Sequence, residues 1–248
     1  MYKKYLKYKK KYLKLGGMRS HIPPSKIKED DKEKQTKCDC CPLSLRQRAL
    51  IFFNEHGKKI PHEKIEFWEQ CLAERYIEPD DIVLELGARY GPVSCAINKI
   101  LTDGHNQVVV EPDSSVWTVL EENRDRNQCN FSILKGFISN KLLNLDDNPN
   151  GYDRSSYPDP TSIIPHYSLQ EVEQKFLNDN KKFNTLVADC EGCLGHFFEE
   201  NPWFYNQLTK IIYEDDRQEI TDYYKIDEEL KKRNFIKLDG FNIWIRKN

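Results

Sequence analysis

Three short stretches of this 248-residue sequence place glycines or carboxylates directly after apolar runs, a pattern typical of ligand sites. The first is E-L-G-A-R-Y-G, from Glu85 to Gly91. Gly87 and Gly91 allow a tight turn and let backbone approach a ligand. The spacing is not G-x-G-x-x-G and Glu85 would repel a pyrophosphate, so a cationic, amino-acid-bearing ligand fits better than a dinucleotide. The alternative is a glycine-rich turn with a purely structural role.

The second stretch is V-V-V-E-P-D, in which Glu111 follows three valines and lies 20 residues after Gly91. An acidic residue at the end of a second strand commonly accepts hydrogen bonds from both ribose hydroxyls. The pattern therefore predicts a nucleoside-binding carboxylate. The alternative is a helix-capping or surface carboxylate, a role for which Asp113 is the competing candidate.

The third stretch is D-C-E-G, where Asp189 and Glu191 are two residues apart. A carboxylate or an imidazole within hydrogen-bond reach can remove the proton of a substrate hydroxyl. Asp189 and Glu191 are thus candidate catalytic bases, and His196 is the next. Alternatively, Asp189 caps the following turn and His196 is a packed histidine beside Phe197.

Two further regions are candidates for substrate binding. Glu214, Asp215 and Asp216 follow another apolar run and could bind substrate hydroxyls or a divalent ion, which prefers oxygen ligands. A solvated acidic edge is an equal alternative. The interval 144–166 is too long for an ordinary connection, which predicts a substrate-covering loop. Its ring side chains could stack on a sugar or base, with disorder as the alternative: Tyr152, Tyr157 and His166.

The elements that must position these residues alternate between apolar strand runs and helical periodicity. Such alternation predicts a mostly parallel sheet with helices on both faces, closed by an antiparallel C-terminal hairpin. We predict helices at 44–56, 62–76, 93–101, 114–127, 168–179 and 222–233. We predict strands at 82–86, 108–110, 131–134, 185–188, 211–213, 235–236 and 243–245.

Composition favours a cytoplasmic protein. The chain is 38% hydrophobic and 31% charged, without an apolar run of membrane-spanning length or a secretory signal. The eight cysteines are therefore expected to be free thiols. The spacing of Cys38, Cys40 and Cys41 disfavours zinc, and a redox role for Cys190 and Cys193 is also disfavoured.

Charge divides the chain into a basic tail and an acidic body. Residues 1–37 carry 13 Lys and Arg against 4 Asp and Glu, and the remainder carries 25 against 36. Residues 2–15 fit a basic amphipathic helix that would meet an anionic surface or nucleic acid, or else a solvated helix without a partner. This segment resembles N-terminal segments of giant DNA virus proteins, which implies the cytoplasm of an infected cell. We divide the chain into a tail and linker at 1–37, a helical extension at 38–79 and a main domain at 80–248.

Four stretches resemble the FkbM family of class I S-adenosylmethionine-dependent methyltransferases over about residues 80–246. They are V-L-E-L-G-A-R-Y-G, V-V-V-E-P-D, F-N-T-L-V-A-D-C-E-G and I-I-Y-E-D-D. The resemblance implies a Rossmann-like α/β sandwich with seven strands, S-adenosylmethionine as cofactor, and methyl transfer to a substrate hydroxyl. The sequence departs from the family's pattern at Arg89-Tyr90 and at Cys190 and Cys193.

The resemblance implies cofactor-loop roles for Glu85, Gly87, Ala88 and Gly91, a ribose-binding role for Glu111 and signature positions at Asp189 and Glu191, and the residue patterns above add the remaining candidates. The cofactor-binding set is Glu85, Gly87, Ala88, Arg89, Tyr90, Gly91, Glu111, Pro112 and Asp189. The catalytic set is Asp189, Glu191 and His196, and the substrate set is Tyr152, Tyr157, Glu214 and Asp215. The most plausible acceptor is a sugar or glycan hydroxyl. The alternatives are an RNA ribose, recruited by the basic tail, and a non-catalytic binding module; a dehydrogenase ranks last for want of the glycine spacing.

Overall fold

The computed structural model describes residues 49–61, 65–148, 153–178, 180–238 and 242–247. The basic tail, the linker, the Cys38, Cys40 and Cys41 cluster, and Tyr152 lie outside these ranges. The sequence predictions that concern them stay predictions.

A seven-stranded sheet forms the centre of the protein. Its strands are β1 (Val83–Leu86), β2 (Gln107–Glu111), β3 (Ser132–Lys135), β4 (Thr185–Ala188), β5 (Lys210–Tyr213), β6 (Phe235–Leu238) and β7 (Ile243–Arg246). Their order across the sheet is β6-β7-β5-β4-β1-β2-β3. The pairs among β1 to β5 are parallel, whereas β7 is antiparallel to both β5 and β6. The predicted α/β sandwich, with a mostly parallel seven-stranded sheet and an antiparallel C-terminal hairpin, is confirmed.

Helices cover both faces of this sheet. They are α1 (Phe67–Tyr76), α2 (Pro92–Asn98), α3 (Trp117–Arg126), α4 (Leu169–Phe176), α5 (Leu194–Glu200), α6 (Phe204–Gln207) and α7 (Tyr223–Lys232). Alternate strand residues point to opposite faces. Leu84 and Leu86 of β1 therefore pack in the core under α4 to α7, while Val83 packs under α1 and α2. Within the described ranges, no helix combines the length and apolar character needed to cross a bilayer.

The predicted helix at 44–56 is wrong for the residues that the structure describes. Short strands Phe52–Phe53 and Lys59–Ile60 form an antiparallel hairpin there instead. The Asn54 side chain accepts hydrogen bonds from the backbone of residues 56 and 58, which stabilises a turn. Asn123 of α3 bonds to both backbone groups of Phe53, so tertiary contacts override the helical spacing. Two further helices, α5 and α6, were not predicted.

The interval predicted as a covering loop contains ordered strand pairs. Leu143–Leu145 pairs antiparallel with Ser156–Pro158, and His166–Tyr167 pairs parallel with Phe137–Ile138. We call residues 137–167 the insertion, since it separates β3 from α4. It places a polar and apolar wall beside the carboxyl ends of the central strands.

Candidate active site

A cavity of about 990 Å³, including its part open to solvent, lies at the carboxyl ends of β1, β2 and β4. The strand order reverses between β1 and β4, and ligands of open parallel sheets bind at such a reversal. The lining residues used below are Gly87, Arg89, Glu111, Pro112, Asp113, Phe137, Ile138, Leu143, Asp153, Arg154, Asp189, Cys190, Glu191, Cys193, His196 and Glu200. The cavity thus joins all three stretches singled out in the sequence.

Gly87 fits the turn after β1 because a side chain has no room there. Its φ is +87°, and an added Cβ would lie 2.0 Å from the backbone oxygen of Asp189. Its N–H donates to the oxygen of Val110, and the N–H of Asp189 donates to the oxygen of Leu86, both at 3.0 Å. The turn is therefore held against β2 and β4 together.

Two backbone N–H groups orient the carboxylate of Glu111 at the cavity edge. Its Oε2 accepts from the N–H of Arg89 and its Oε1 from the N–H of Asp113, both at 2.7 Å. Burial raises its pKa to about 7, although the two backbone hydrogen bonds oppose the shift. Each oxygen keeps a second lone pair with which to accept another donor. Glu111 is thus suited to bind a pair of hydroxyl groups.

Asp113 joins the insertion to the side of the cavity where Glu111 lies. Its Oδ2 lies 3.4 Å from Nη1 of Arg154 and 3.7 Å from Nη1 of Arg89. Burial raises the pKa of Asp113, but hydrogen bonds from Ser115 and the two guanidinium groups leave it below its ordinary value. The capping role considered for Asp113 is also present, since its side chain accepts from the N–H of Ser115.

Glu85 does not lie with Glu111. It is the third residue of β1, so its side chain faces α2, where Oε1 accepts from Ser94 Oγ at 2.8 Å. Its Oε2 accepts from Gln107 Nε2 at 2.9 Å. Burial raises its pKa to about 8. This carboxyl group takes part in the packing of the sheet against α2 instead of lining the cavity.

Three other positions assigned to the cofactor loop also face away from the cavity. Ala88 packs with the buried residues around Leu120, and Tyr90 packs against the hairpin and α3. The Tyr90 hydroxyl donates to Glu55 Oε2 at 2.5 Å. Gly91 begins α2 with a φ of +81°. These residues shape the turn, whereas Gly87, Arg89, Glu111, Pro112 and Asp189 line the cavity.

The three candidate bases all lie along the β4 side of the cavity. Asp189 follows the last residue of β4, and Glu191 lies 3.3 Å from Nε of Arg217. His196 is on α5, where its Nδ1 is 3.7 Å from Glu199. The structure therefore brings the carboxylates and the imidazole to one wall of the cavity.

The expectation of free thiols is wrong for Cys190 and Cys193, which form a disulfide bond in the cavity wall. Cys71 is disulfide-bonded as well. Cys95 and Cys129 are buried free thiols, as expected. The C-x-x-C spacing is the sequence signal for this bond, although without a thioredoxin-like context it does not indicate a redox role.

Glu214 and Asp216 lie near the same wall. Carboxylate oxygens of Glu69, Asp189 and Glu214 lie within 4.8 Å of one another, and so do those of Asp189, Glu191 and Asp216. Both sets offer the oxygen ligands that divalent cations prefer. Asp215, the other acidic residue assigned to substrate, belongs to neither set within the described part of the chain.

Of the ring side chains proposed for substrate stacking, the two that the structure describes, Tyr157 and His166, do not line the cavity. Tyr157 is on the outer strand of the insertion, 44% exposed, and does not line the cavity. His166 stacks on Phe137 at 5.3 Å, and its Nε2 accepts from the N–H of Leu143. The insertion instead contributes Phe137, Leu143 and Arg154 to the wall. Sequence reasoning missed these three because nothing in their spacing indicates a site.

No family model matches this chain, and neither does any curated protein. Solved structures do resemble it. An O-methyltransferase from Bacillus cereus in complex with S-adenosylhomocysteine has a TM-score of 0.43 at 14% identity, covering 73% of this chain and 79% of that chain. A ribosomal protein L11 methylase from Lactobacillus delbrueckii subsp. bulgaricus has a TM-score of 0.43 at 14% identity, covering 80% and 82%.

An RNA methyltransferase from Salinibacter ruber, in complex with S-adenosyl-L-homocysteine, has a TM-score of 0.37 at 12% identity, covering 74% of this chain and 92% of that chain. Structural likeness this distant does not discriminate between substrates. Any function of this chain has to be argued from the site itself.

Proposed function

We propose that this protein is an S-adenosylmethionine-dependent O-methyltransferase of the FkbM type. The observation that carries the proposal is Glu111, a carboxylate at the end of β2 whose oxygens are aligned by two backbone N–H groups at the cavity edge. A carboxylate in this place can accept hydrogen bonds from the two vicinal hydroxyls of a ribose. When bound, S-adenosylmethionine supplies a methyl group already activated on a sulfonium.

The other lining residues fit the remaining parts of that cofactor. Phe137, Ile138 and Leu143 offer apolar surface for a purine on the insertion side. Across the cavity, the carboxylate of Asp189 suits the cationic amino-acid end and the sulfonium charge. One cavity of the chain thus contains a carboxylate that can accept hydrogen bonds from ribose hydroxyls, an apolar wall for the purine, and negative charge for the cationic end of the cofactor.

The β4 side would hold the methyl acceptor and take up its proton. An activated methyl group requires mainly alignment, and a base within hydrogen-bond reach contributes further. Asp189 is the preferred base, because Glu191 is engaged by Arg217 at 3.3 Å. His196 and Glu191 are then placed to orient the acceptor hydroxyl.

The charge of the cavity favours a neutral, hydroxyl-rich acceptor. Its walls carry two guanidinium groups, from Arg89 and Arg154, and more carboxylates: Glu66, Glu111, Asp113, Asp153, Asp189, Glu191 and Glu200. Arg89 and Arg154 both lie within 4 Å of Asp113, which offsets their charge. A phosphate-bearing acceptor would be repelled, whereas sugar hydroxyls can donate to carboxylates. We therefore infer a sugar or glycan as substrate.

The alternatives predict different outcomes in one assay. The protein would be titrated with S-adenosylhomocysteine by calorimetry, and then incubated with methyl-labelled S-adenosylmethionine and either neutral oligosaccharides or RNA. Binding together with label in the oligosaccharides supports the proposal. Label in RNA, lost when residues 1–37 are removed, would support a ribose methyltransferase recruited by the basic tail. Absence of any binding heat would support a non-catalytic module and contradict the proposal.

A further inference from the structure

The disulfide between Cys190 and Cys193 lies within the proposed active site. Both cysteines are half-buried and line the cavity, and the ring that they close contains Glu191 and Gly192. Asp189 immediately precedes the ring. Both cysteines therefore border the cavity and are adjacent in sequence to two candidate bases.

The backbone inside this ring has a conformation that glycine favours but glutamate does not. Glu191 has a φ of +52° and Gly192 a φ of +87°. A left-handed non-glycine residue costs about 1 kcal/mol or more and persists only where its surroundings fix it. The disulfide provides one such restraint, and the Glu191–Arg217 ion pair provides another.

Arg217 extends this restraint to the insertion. Its Nη2 donates to the backbone oxygen of Asp153 at 2.7 Å, while its Nε is 3.3 Å from Glu191 Oε2. Asp153 precedes Arg154, which reaches Asp113 on the nucleoside side. The position of Glu191 is thus linked through Arg217 to the wall that the insertion forms.

We propose that the Cys190–Cys193 disulfide is a thiol-exchange site whose reduction lowers methyl transfer. The effect on catalysis rests on the proposed function, whereas the exchange itself does not. In the oxidised form the ring holds Glu191 against Arg217. In the dithiol form the left-handed turn can relax, Glu191 shifts, and Arg217 loses the carboxylate that holds it next to Asp153.

The reductant is a small dithiol. One of its thiolates attacks a sulfur of the disulfide, which forms a mixed disulfide and releases the other cysteine as a thiolate that takes up a proton. The second thiol of the reductant then displaces the protein sulfur and becomes part of a cyclic disulfide. The protein gains two electrons and two protons, and the reductant loses them.

The negative charge around the disulfide should favour a neutral reductant over an anionic one. Asp189, Glu191 and Asp216 have carboxylate oxygens within 4.8 Å of one another beside the ring, and Arg217 is the cation next to them. Negative charge repels an approaching anion. Neutral dithiothreitol is therefore expected to reduce the bond faster than glutathione, whose carboxylates make it anionic.

The test compares the full-length protein before and after dithiothreitol with the Cys190→Ser/Cys193→Ser variant. Alkylation and mass spectrometry would report the state of each cysteine, and hydrogen exchange would report residues 189–193 and 217–221. On reduction we expect faster exchange in both peptides and a turnover about 5-fold to 100-fold lower. Affinity for S-adenosylhomocysteine should change by less than about 3-fold, because the backbone groups that hold Glu111 belong to Arg89 and Asp113, outside the ring.

The double variant controls for other disulfides, such as that of Cys71. It should resemble the reduced protein and be insensitive to dithiothreitol, whereas Cys129→Ser should behave as the unmodified chain does. Equal exchange in the oxidised and reduced proteins would overturn the proposal, and so would a double variant with the turnover of the oxidised chain. Absence of turnover in every form would contradict the proposed function alone, and the exchange data would still decide on the thiol site.

Discussion

Two buried glutamates on neighbouring strands differ in what surrounds them. Glu85 of β1 faces α2 and is bound by the side chains of Ser94 and Gln107. Glu111 ends β2 and is bound by backbone N–H groups at the edge of a cavity. Burial raises the pKa of both, to about 8 for Glu85 and about 7 for Glu111.

The difference shows how the same residue type can serve packing in one place and binding in another. The partners of Glu85 belong to adjacent elements of the core, so a change there should alter stability. Those of Glu111 belong to the turns that border the cavity, so a change there should alter ligand binding. The cavity edge and the helix-covered face of the sheet can therefore be separated by experiment.

The largest effect is expected at Gly87, where the cavity edge has no room for a side chain. In Gly87→Ala the new Cβ would meet the Asp189 oxygen at 2.0 Å. The variant should lose more than about 3 kcal/mol of stability and all measurable binding of S-adenosylhomocysteine. Chemical denaturation and calorimetry would measure both losses.

Gly57→Ala is the matched control for this variant. Gly57 also has a positive φ, of +70°, but nothing lies within 4 Å of an added Cβ. It should therefore lose only about 1 kcal/mol and bind normally. Equal losses in the two variants would show that backbone strain, and not the contact with Asp189, explains Gly87.

Removal of the proposed catalytic base, Asp189, should lower turnover far more than it lowers affinity for the cofactor product. Asp189→Asn keeps the size of the side chain but removes its basicity, so turnover should fall about 100-fold. Affinity for S-adenosylhomocysteine should fall much less, by about 10-fold at most, since Glu111 is intact and the asparagine oxygen can still accept a hydrogen bond from the ammonium group. Initial rates and calorimetry would measure the two. Glu121→Gln, an exposed ion-pair partner of Lys135, is the control that should leave both unchanged.

The affinity for the nucleoside should depend on Glu111 and on its ionisation. Glu111→Ala should weaken S-adenosylhomocysteine binding by about 1–3 kcal/mol through the loss of charge-assisted hydrogen bonds. Because the ionised form accepts both hydroxyls, affinity should fall as the pH drops below about 7 in the unmodified protein. Calorimetry from pH 5.5 to 8.5 would show this dependence.

In Glu111→Gln the position does not titrate, so the dependence of affinity on pH should flatten. An equally steep dependence in that variant would assign the titration to another group.

The smallest effect on ligand binding is expected at Glu85, where stability should change instead. Its pKa is raised from about 4.5 to about 8 on folding, so the folded state binds the proton more tightly than the unfolded state. The resulting stability is fully present below pH 4.5 and is lost as the pH rises through 8, on the order of 1 kcal/mol per pH unit.

Glu85→Gln should flatten this dependence while the affinity for S-adenosylhomocysteine stays within about 2-fold. Urea denaturation at several pH values would measure the slope. If Glu85→Gln abolished binding at constant stability, the contrast between the two glutamates would be contradicted.

Much of the fold could be predicted because its signals are local. Apolar runs such as Thr185–Ala188 indicate buried strands wherever they occur, and helical periodicity at Tyr223–Lys232 needs no knowledge of neighbours. The turn after β1 and the carboxylate that ends β2 were likewise visible from glycine and glutamate positions. The Phe52–Phe53 strand was missed because Asn123, 70 residues away, fixes its backbone.

The candidate site was predictable only in part, because the sequence does not show toward which face of the sheet each side chain points. The sequence by itself determined that carboxylates lie at or near the ends of β1, β2 and β4, and that a parallel sheet would gather those ends at one edge. Tertiary structure decided which of them reach the cavity, because alternation turns Glu85 toward α2. It also brought Arg154 to Asp113 and Arg217 to Glu191, contacts over 41 and 26 residues that no local pattern records.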